Sequence, residues 1–350
     1  MSPLLGWDIG GAHLKLAEIA SDGRVVCTEQ YATPLWLGLD SLKERLESVA
    51  SRYADSNAIH AVTMTGELVD FFPGRDEGVR SLIDLFISVF PGSHTLVYAG
   101  SEGLLGAHEV HGVLHKVASA NWHATANYVA TRYRDCILVD LGSTTTDLVP
   151  IQGGIIANAG YSDRQRLQHR ELVYTGMIRT PVMAVVREVE INGKRQGVAA
   201  EYFATMSDVY RILGLLNESH DLYPAADNGE KTLAGSKRRL AHMLGADYGE
   251  ELGDDELASA ARFIADEQLN QVGTAFEHIR NRPGSASSPD LIAAGIGREL
   301  LRPLAEELNC KYRDLGCILG NQGENQGLAN TAPAIAVAQL ARLGHELQIN

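Results

Sequence analysis

Apolar residues form two strand-like stretches around a small polar turn at the beginning of the sequence. The segment "LLGWDIGGAHLKLAEI" runs from Leu4 to Ile19, and the same arrangement returns as "ILVDLGSTTTDLVPI" from Ile137 to Ile151. Each consists of an apolar strand, an Asp-x-Gly turn, a short loop and a second apolar strand. The pattern predicts two β-hairpins, with Asp8 and Asp140 at equivalent strand ends 132 positions apart.

Helical and strand periodicities alternate after each hairpin. In the first half, helices are predicted at 41–54, 79–89 and 118–132, with strands at 59–64 and 95–98. The second half restarts with strands at 137–140, 147–152 and 154–157, and a strand at 291–294 precedes two helices. This repeat predicts an α/β protein of two similar lobes, residues 1–133 and 134–350, with a helical insertion at about 200–285 and a ligand cleft between the lobes.

Composition narrows the function classes. With 350 residues the chain is long enough for about two domains, and 45% apolar and 21% charged residues fit a globular protein. A net charge of −14 argues against nucleic-acid binding, and no apolar run is long enough to predict a membrane span. Four widely spaced cysteines are typical of a reducing compartment, so we expect a cytoplasmic protein. The sequence leaves open whether the protein forms a homodimer.

The hairpin tips carry the groups that bind phosphate. Small residues let the backbone approach a ligand, consecutive N–H groups form an anion nest, and hydroxyls add donors. The predicted phosphate-binding residues are Gly10, Gly11, Gly142, Ser143, Thr144 and Thr145. Turn sterics alone explain one such hairpin equally well. Two of them at the beginnings of two similar lobes favour a binding site.

Carboxylates beside an anion site imply a cation. Asp8 and Asp140 would repel a bare phosphate, so we expect Mg²⁺ between them, with Asp147 as a third ligand or a turn cap. Lys15 is the cation nearest the first tip and is predicted to pair with phosphate. Gly295 and Gly297, between a strand and a helix in "LIAAGIGREL", are predicted to face the substrate through their backbone, or to form a simple strand-to-helix turn.

Together these motifs resemble the actin, hexokinase and Hsp70-like ATPase superfamily. That resemblance covers most of the chain and implies two ribonuclease-H-like lobes with an inter-lobe cleft. Further strings resemble the hydantoinase/oxoprolinase-related family and, within it, proteins linked to tetrahydromethanopterin one-carbon transfer and methanofuran biosynthesis. These strings are "DIGGAHLKLA", "VTMTGELVDFF", "ANWHATA", "LVDLGSTTTDLVPI" and "APAIAVAQL".

The closer resemblance implies a transferase that joins an aminomethylfuran-methyl diphosphate to the phenol of a γ-glutamyltyramine- or tyrosine-type acceptor. Pyrophosphate would leave with the help of anion nests and Mg²⁺. The phenol needs a base, for which the candidates are Glu67, Asp70 and His13. Asn121 and Trp122 are expected to line an aromatic substrate pocket, although Trp122 fits a core position equally well. His13 is also expected to contact substrate.

Alternatives remain open at this stage. Ala12 stands where kinase-like hairpins usually place Ser or Thr, which disfavours phosphoryl transfer from ATP. An ATP-dependent small-molecule kinase, a hydantoinase-like amidohydrolase and a nucleotide-binding regulator nevertheless stay as alternatives, with ATP or ADP as ligand. His108, His111 and His115 would share one face of a helix. A solvent-facing stripe is favoured there over a zinc site.

Overall fold

The computed structural model describes residues 3–53, 57–320 and 328–349. The strands are β1 Leu4–Ile9, β2 His13–Ile19, β3 Val25–Ala32, β4 Ile59–Met64, β5 His94–Tyr98, β6 Leu104–Gly106, β7 Cys136–Leu141, β8 Thr146–Gln152, β9 Ile155–Ile156, β10 Leu172–Val173, β11 Glu188–Ile191, β12 Lys194–Gly197, β13 Asp290–Ala294 and β14 Tyr312–Asp314.

Helices fill most of the intervening chain. They are α1 Asp40–Arg52, α2 Arg75–Val89, α3 Leu114–Val117, α4 Asn121–Ala130, α5 Asp163–Gln168, α6 Val182–Val185, α7 Met206–Ile212, α8 Leu233–Met243, α9 Asp254–Arg280, α10 Leu301–Glu307, α11 Leu315–Leu319 and α12 Ala332–Ile349. None of the described helices combines the length and the apolarity that a membrane crossing requires.

The chain divides into two compact units. The first consists of residues 1–134, 153–156 and 315–350, and the second of residues 135–152 and 157–314. In the described part of the first unit, six strands form a sheet in the order β3-β2-β1-β4-β5-β6. The first three strands are antiparallel neighbours, whereas β4 lies parallel to β1 and β5 parallel to β4.

The sheet of the second unit repeats this plan. Its described strands follow the order β10-β8-β7-β13-β14. Again an antiparallel hairpin and a third antiparallel strand are followed by two strands parallel to the first one. Both sheets therefore have the strand order and directions of a ribonuclease-H-like lobe, which confirms the predicted fold class.

Two elements differ from the sequence prediction. A strand was expected at 154–157. The shorter β9 is found there and pairs with β8, whereas β10 is the neighbour of β8 in the strand order of the second sheet. Gly153 and Gly154 turn the chain with φ of 61° and 83°, and only Ile155–Ile156 is extended there. The strand β10 has only two residues, too few for an alternating pattern to show.

The C-terminal helix also differs from its expected place. It was predicted within a lobe of residues 134–350, yet α12 packs on β1 in the first unit. Gly6 makes this contact, since a Cβ at this position would lie 1.9 Å from the carbonyl oxygen of Ala334. Small residues on both elements let the helix approach the strand closely, so the first unit takes its last helix from the end of the sequence.

The predicted helical insertion at about 200–285 is larger than expected. A separate apolar core begins at Met177 and includes the β11–β12 pair as well as α7, α8 and α9. Asp208 is buried in it and receives two hydrogen bonds from the Arg239 guanidinium, at 2.9 and 2.7 Å. Because a buried charge is costly without a partner, this ion pair belongs to the structure of the insertion.

Candidate active site

The first hairpin joins β1 to β2. Its register sets Asp8 opposite Lys15, and the Gly10 N–H donates to the His13 carbonyl at 2.9 Å. The Lys15 ammonium lies 3.3 Å from Asp8 Oδ2. Asp8 is 2% exposed, and its Oδ1 has no hydrogen-bond partner in the described part of the chain. One oxygen of this buried carboxylate is therefore available to a ligand.

The second hairpin, β7–β8, has the same backbone geometry. Asp140 lies opposite Asp147, and the Gly142 N–H donates to the Thr145 carbonyl at 2.9 Å. Every partner is shifted by the same 132 positions. The side chains differ, because Asp147 stands where the first hairpin has Lys15, and Arg166 on α5 neutralises it at 2.7 Å.

Neighbouring segments hold the carbonyl groups of the first tip. The Gly11 carbonyl accepts from the Leu35 N–H and the Ala12 carbonyl from the Thr33 N–H, both at 2.9 Å. Among the described residues, no acceptor is found for the N–H groups of Gly11 and Ala12. Fixed carbonyls and open N–H groups suit an anion, and anion binding at this turn stays a prediction.

The second tip is held in the same way. The Met177 N–H donates to the Gly142 carbonyl at 2.9 Å, and the N–H groups of the next two residues donate to the Ser143 carbonyl at 3.0 and 2.9 Å. Within the described ranges, the N–H groups of residues 143–145 donate to no protein acceptor. Ser143, Thr144 and Thr145 are all partly exposed, so their hydroxyls add donors next to these N–H groups.

Contacts from distant parts of the sequence support this second tip. Gln268 on α9 donates to the Thr175 hydroxyl at 2.7 Å and to the Gly176 carbonyl at 3.0 Å. Thr146, the first residue of β8, donates its hydroxyl to the Thr175 carbonyl at 2.7 Å. A Cβ at Gly176 would lie 2.5 Å from the Thr144 nitrogen, so this support touches the tip itself.

The glycine pair after β13 packs directly on the end of β7. Gly295 has a φ of 81°, and a Cβ there would lie 2.3 Å from Asp140 Oδ1. The Gly297 N–H donates to the Leu141 carbonyl at 2.9 Å. Gly295 permits a close approach to the Asp140 carboxylate and Gly297 to the Leu141 side chain, so the positions of both are set by packing as well as by any ligand.

The loop after β4 lies against the first tip. The Thr65 N–H donates to the Ile9 carbonyl at 3.0 Å, and a Cβ at Gly11 would lie 2.9 Å from Val69 Cγ1. In this loop Glu67 is 2% exposed, and burial raises the pKa of its carboxyl above the ordinary value. Asp70, another predicted base, is exposed.

The other predicted substrate residues lie in different environments. His13 is half-buried, and burial followed by the Lys15 charge lowers the pKa of its imidazole. The Asn121 side chain accepts from the Trp122 N–H at 2.7 Å at the beginning of α4. Trp122 is partly exposed, with its ring 5.3 Å from that of His123. Neither a buried core position nor full exposure describes this indole.

The three histidines do not share a helix. His108 lies in a turn, His111 in a 3-10 turn and His115 in the four-residue α3, and all three are exposed. The change of helix type at Gly112 and Val113 breaks the spacing that would have aligned them. Their exposure agrees with the favoured alternative of a solvent-facing stripe.

A divalent cation has limited protein ligands here. In the ranges that the structure describes, no group of three or more His, Cys, Asp and Glu side chains is placed to hold a metal. Mg²⁺ does not require one, because it commonly takes one or two carboxylates and completes its shell with water and phosphate oxygens. The unpartnered Oδ1 of Asp8 fits that use, whereas Asp147 is engaged by Arg166.

Sequence reasoning missed three polar residues around these elements. Arg166 is 2% exposed beside Asp147, Arg298 is 8% exposed and donates to Asp314 at 3.1 Å, and Ser119 contacts Glu67. A signal existed only for Arg298, which directly follows Gly297 in the glycine motif. Arg166 comes from a segment with no predicted element, and nothing in the helix predicted at 118–132 marks Ser119.

Comparison with known proteins identifies the family to which the chain belongs. Residues 59–341 match the hydantoinase/oxoprolinase family model, which is more than half of the chain. The chain belongs to the hydantoinase/oxoprolinase family. A family assignment alone fixes neither substrate nor reaction, so the individual relatives matter.

Two curated relatives in this family share a name. One is the (4-{4-[2-(gamma-L-glutamylamino)ethyl]phenoxymethyl}furan-2-yl)methanamine synthase of Methanocaldococcus jannaschii. The chain is 32% identical to it, over 96% of this chain and 97% of that protein. It is 25% identical to the Methanococcus vannielii synthase of the same name, over 60% of this chain and 91% of that protein. Both relatives confirm the resemblance to the methanofuran-biosynthesis group of the hydantoinase/oxoprolinase family.

Solved structures match over nearly the whole chain at low similarity. The activator of 2-hydroxyisocaproyl-CoA dehydratase from Clostridium difficile covers 99% of this chain and 98% of its own, with 9% identity and a TM-score of 0.46. A ROK family glucokinase from Streptomyces griseus covers 98% and 100%, with 14% identity and a TM-score of 0.48. Both TM-scores lie below 0.5, and the fold class is given by the strand order of the two sheets.

Proposed function

We propose that the protein is a transferase of methanofuran-type cofactor biosynthesis. It joins an aminomethylfuran-methyl diphosphate to the phenol of a γ-glutamyltyramine- or tyrosine-type acceptor and releases pyrophosphate. The observation that carries this proposal is the 32% identity over 96% of the chain to a synthase whose named product contains the phenoxymethyl-furan ether. This reaction belongs to one-carbon metabolism with tetrahydromethanopterin, and we place it in the cytoplasm.

The hairpin tips support the proposal through their donors. A diphosphate leaving group carries several anionic oxygens, and fixed N–H groups lower the free energy of the charge that develops as the bond breaks. We assign this role to the two tips, where the N–H groups of Gly11, Ala12 and residues 143–145 have no protein acceptor among the described residues. Lys15 adds a cation beside the first tip.

In each unit, a carboxylate at a strand end is the proposed ligand for Mg²⁺. Asp8 offers an unpartnered oxygen, and Asp140 occupies the equivalent position of the second hairpin. A bound Mg²⁺ would neutralise diphosphate charge and assist its departure. The protein's own part is to present these carboxylates from rigid strands and to keep Lys15 next to Asp8.

The test combines the two proposed substrates with Mg²⁺ and follows pyrophosphate and the ether product by mass spectrometry. Asp8→Asn and Asp140→Asn should each lower pyrophosphate release at least about 100-fold, and calorimetry should show weaker Mg²⁺-dependent pyrophosphate binding. Asp255→Asn, an exposed change in the first turn of α9, is the matched control and should behave as wild type.

Two results would contradict the proposal. If the wild-type protein forms no ether but turns over ATP with a small-molecule acceptor, the kinase or amidohydrolase alternative replaces it. If ether forms and both aspartate variants keep the full rate, the transferase stands but the hairpin carboxylates have no part in it.

A further inference from the structure

Glu67 has an unusual environment for a carboxylate. It follows β4 in a 3-10 turn, Gly66–Leu68, and is 2% exposed. Its Oε1 accepts a hydrogen bond from the Ser119 hydroxyl at 2.9 Å. Its Oε2 is buried and has no hydrogen-bond partner among the described residues. Buried polar atoms are nearly always paired, so this oxygen points to a donor that the described residues do not supply.

Two neighbours fix the orientation of this carboxylate. A Cβ at Gly78 on α2 would lie 2.8 Å from Glu67 Cβ, so the helix packs tightly against the side chain. Ser119 has a φ of 54°, a left-handed conformation that residues other than glycine rarely adopt. Strained backbone of this kind often occurs where a side chain must be placed for function. Here it places the hydroxyl that binds Oε1.

Burial and a few polar neighbours set the pKa of the Glu67 carboxyl. Burial is the largest influence and raises the pKa of its carboxyl, whereas hydrogen bonds from its own backbone and from Ser119, and the charge of Arg75 on α2, lower that pKa. In the described residues no cation lies within ion-pair distance of it. A carboxylate with a raised pKa is a stronger base than an exposed one, provided that it is ionised at the working pH.

Large apolar side chains near Glu67 suit an aromatic acceptor. Leu68 and Phe71, on the same loop, are 43% and 49% exposed. Trp36 is 52% exposed, in a 3-10 turn that packs on this loop, since a Cβ at Gly66 would lie 2.6 Å from Leu35 Cδ1. An aromatic ring has the chemistry to cover such surface while its hydroxyl reaches a buried acceptor.

We propose that Glu67 is the base of the ether-forming step and that Ser119 is its positioning residue. This inference rests on the proposed function and adds to it the acceptor side of the reaction. The phenol oxygen bonds to the methylene carbon of the furan, the bond from that carbon to the diphosphate breaks, and pyrophosphate leaves. The phenol proton passes to Glu67 Oε2 and later to solvent.

The experiment measures kcat/KM against pH for ether formation with γ-glutamyltyramine, in wild type and Glu67→Gln. Wild-type activity should rise with pH as Glu67 ionises, because a carboxyl with a raised pKa becomes a base only above that pKa. Glu67→Gln should lose about 100-fold or more and lose this rise, since general-base catalysis contributes about 10²- to 10⁴-fold. A fluorinated, more acidic phenol needs less help from a base and should recover most of the loss.

Ser119→Gly separates positioning from folding. Glycine accepts the left-handed backbone, so the substitution removes the CH2OH side chain without straining the main chain. Because the Ser119 hydrogen bond lowers the pKa of Glu67, its loss should move the pH profile to higher pH. A purely structural role would leave the profile in place. Glu77→Gln, an exposed change of the same type on α2, should match wild type throughout.

Other outcomes would overturn this inference without touching the proposed function. If wild type forms the ether and Glu67→Gln stays within about threefold of it, Glu67 is not the base. The same conclusion follows if Asp70→Asn or His13→Asn, rather than Glu67→Gln, removes the rise with pH. If the wild-type protein forms no ether with any of the phenols, the proposed function itself is contradicted.

Discussion

Replacement of Gly295 by alanine should displace the Asp140 carboxylate. The new Cβ would lie 2.3 Å from Asp140 Oδ1, whereas ordinary contacts begin at 3.4 Å. The carboxylate or the strand must therefore move by roughly 1 Å, and a displacement of that size at a reacting group costs about 100-fold in rate. The left-handed φ of 81° adds strain of its own.

Gly284 provides a matched control for this strain. Its φ is 84°, and a Cβ there would meet no atom within 4 Å. Gly284→Ala should cost about 1 to 2 kcal/mol, from the left-handed backbone alone. Gly295→Ala should cost a further 1 to 3 kcal/mol or so for overpacking. At about 2 to 4 °C per kcal/mol, calorimetry should resolve the two Tm values.

The activity assay then decides what Gly295 does. Pyrophosphate release should fall about 100-fold in Gly295→Ala and stay at the wild-type level in Gly284→Ala. Equal Tm values and equal rates in the two variants would refute the reasoning. They would mean that Gly295 is an ordinary turn residue and that Asp140 tolerates a neighbour at this position.

Three further predictions concern stability. Arg166→Met should lower the free energy of unfolding by about 3 kcal/mol, because Asp147 loses its buried partner, and denaturant titration will measure it; an unchanged midpoint would make the pair dispensable. Gly6→Ala should lower Tm by several degrees through overlap with α12, unlike Gly112→Ala, which has open space; equal Tm values would contradict this packing. Burial lowers the pKa of His60 to about 4, so the neutral imidazole stabilises the fold above pH of about 6.5. This contribution, up to about 3 kcal/mol, is lost as pH falls toward 4. His60→Gln should flatten that part of the pH–stability curve, and a curve identical to that of wild type would contradict the prediction.

The hairpins could be predicted because their signals are local. Each tip is specified by an Asp-x-Gly turn between alternating apolar residues, and the register follows from the turn. The roles of the partner residues were not predictable in this way. Lys15 and Asp147 occupy equivalent positions, but only the structure shows that Arg166, from a separate helix, neutralises the second one.

Placement across long sequence separations was the part that could not be predicted. The string at 332–343 indicates a packed helix, yet nothing in it specifies the sheet on which the helix packs. The short β10 depends on Glu171, which is fully buried and paired with Arg282, 111 residues away. Glu67 was a predicted base, but its contact with Ser119 spans 52 residues. Such contacts leave no periodic signal in the sequence.

The contact between α12 and β1 has a consequence for biosynthesis. During translation, β1 and its glycine at position 6 are made first, while the helix that covers them is made after the whole second unit, residues 135–152 and 157–314. One face of the first sheet therefore stays uncovered on the ribosome while some 300 residues are added. Nascent chains arrested before position 332 should bind chaperones through this face, and a bulky fusion placed close after α12 would interfere with the last step of folding rather than with the chemistry.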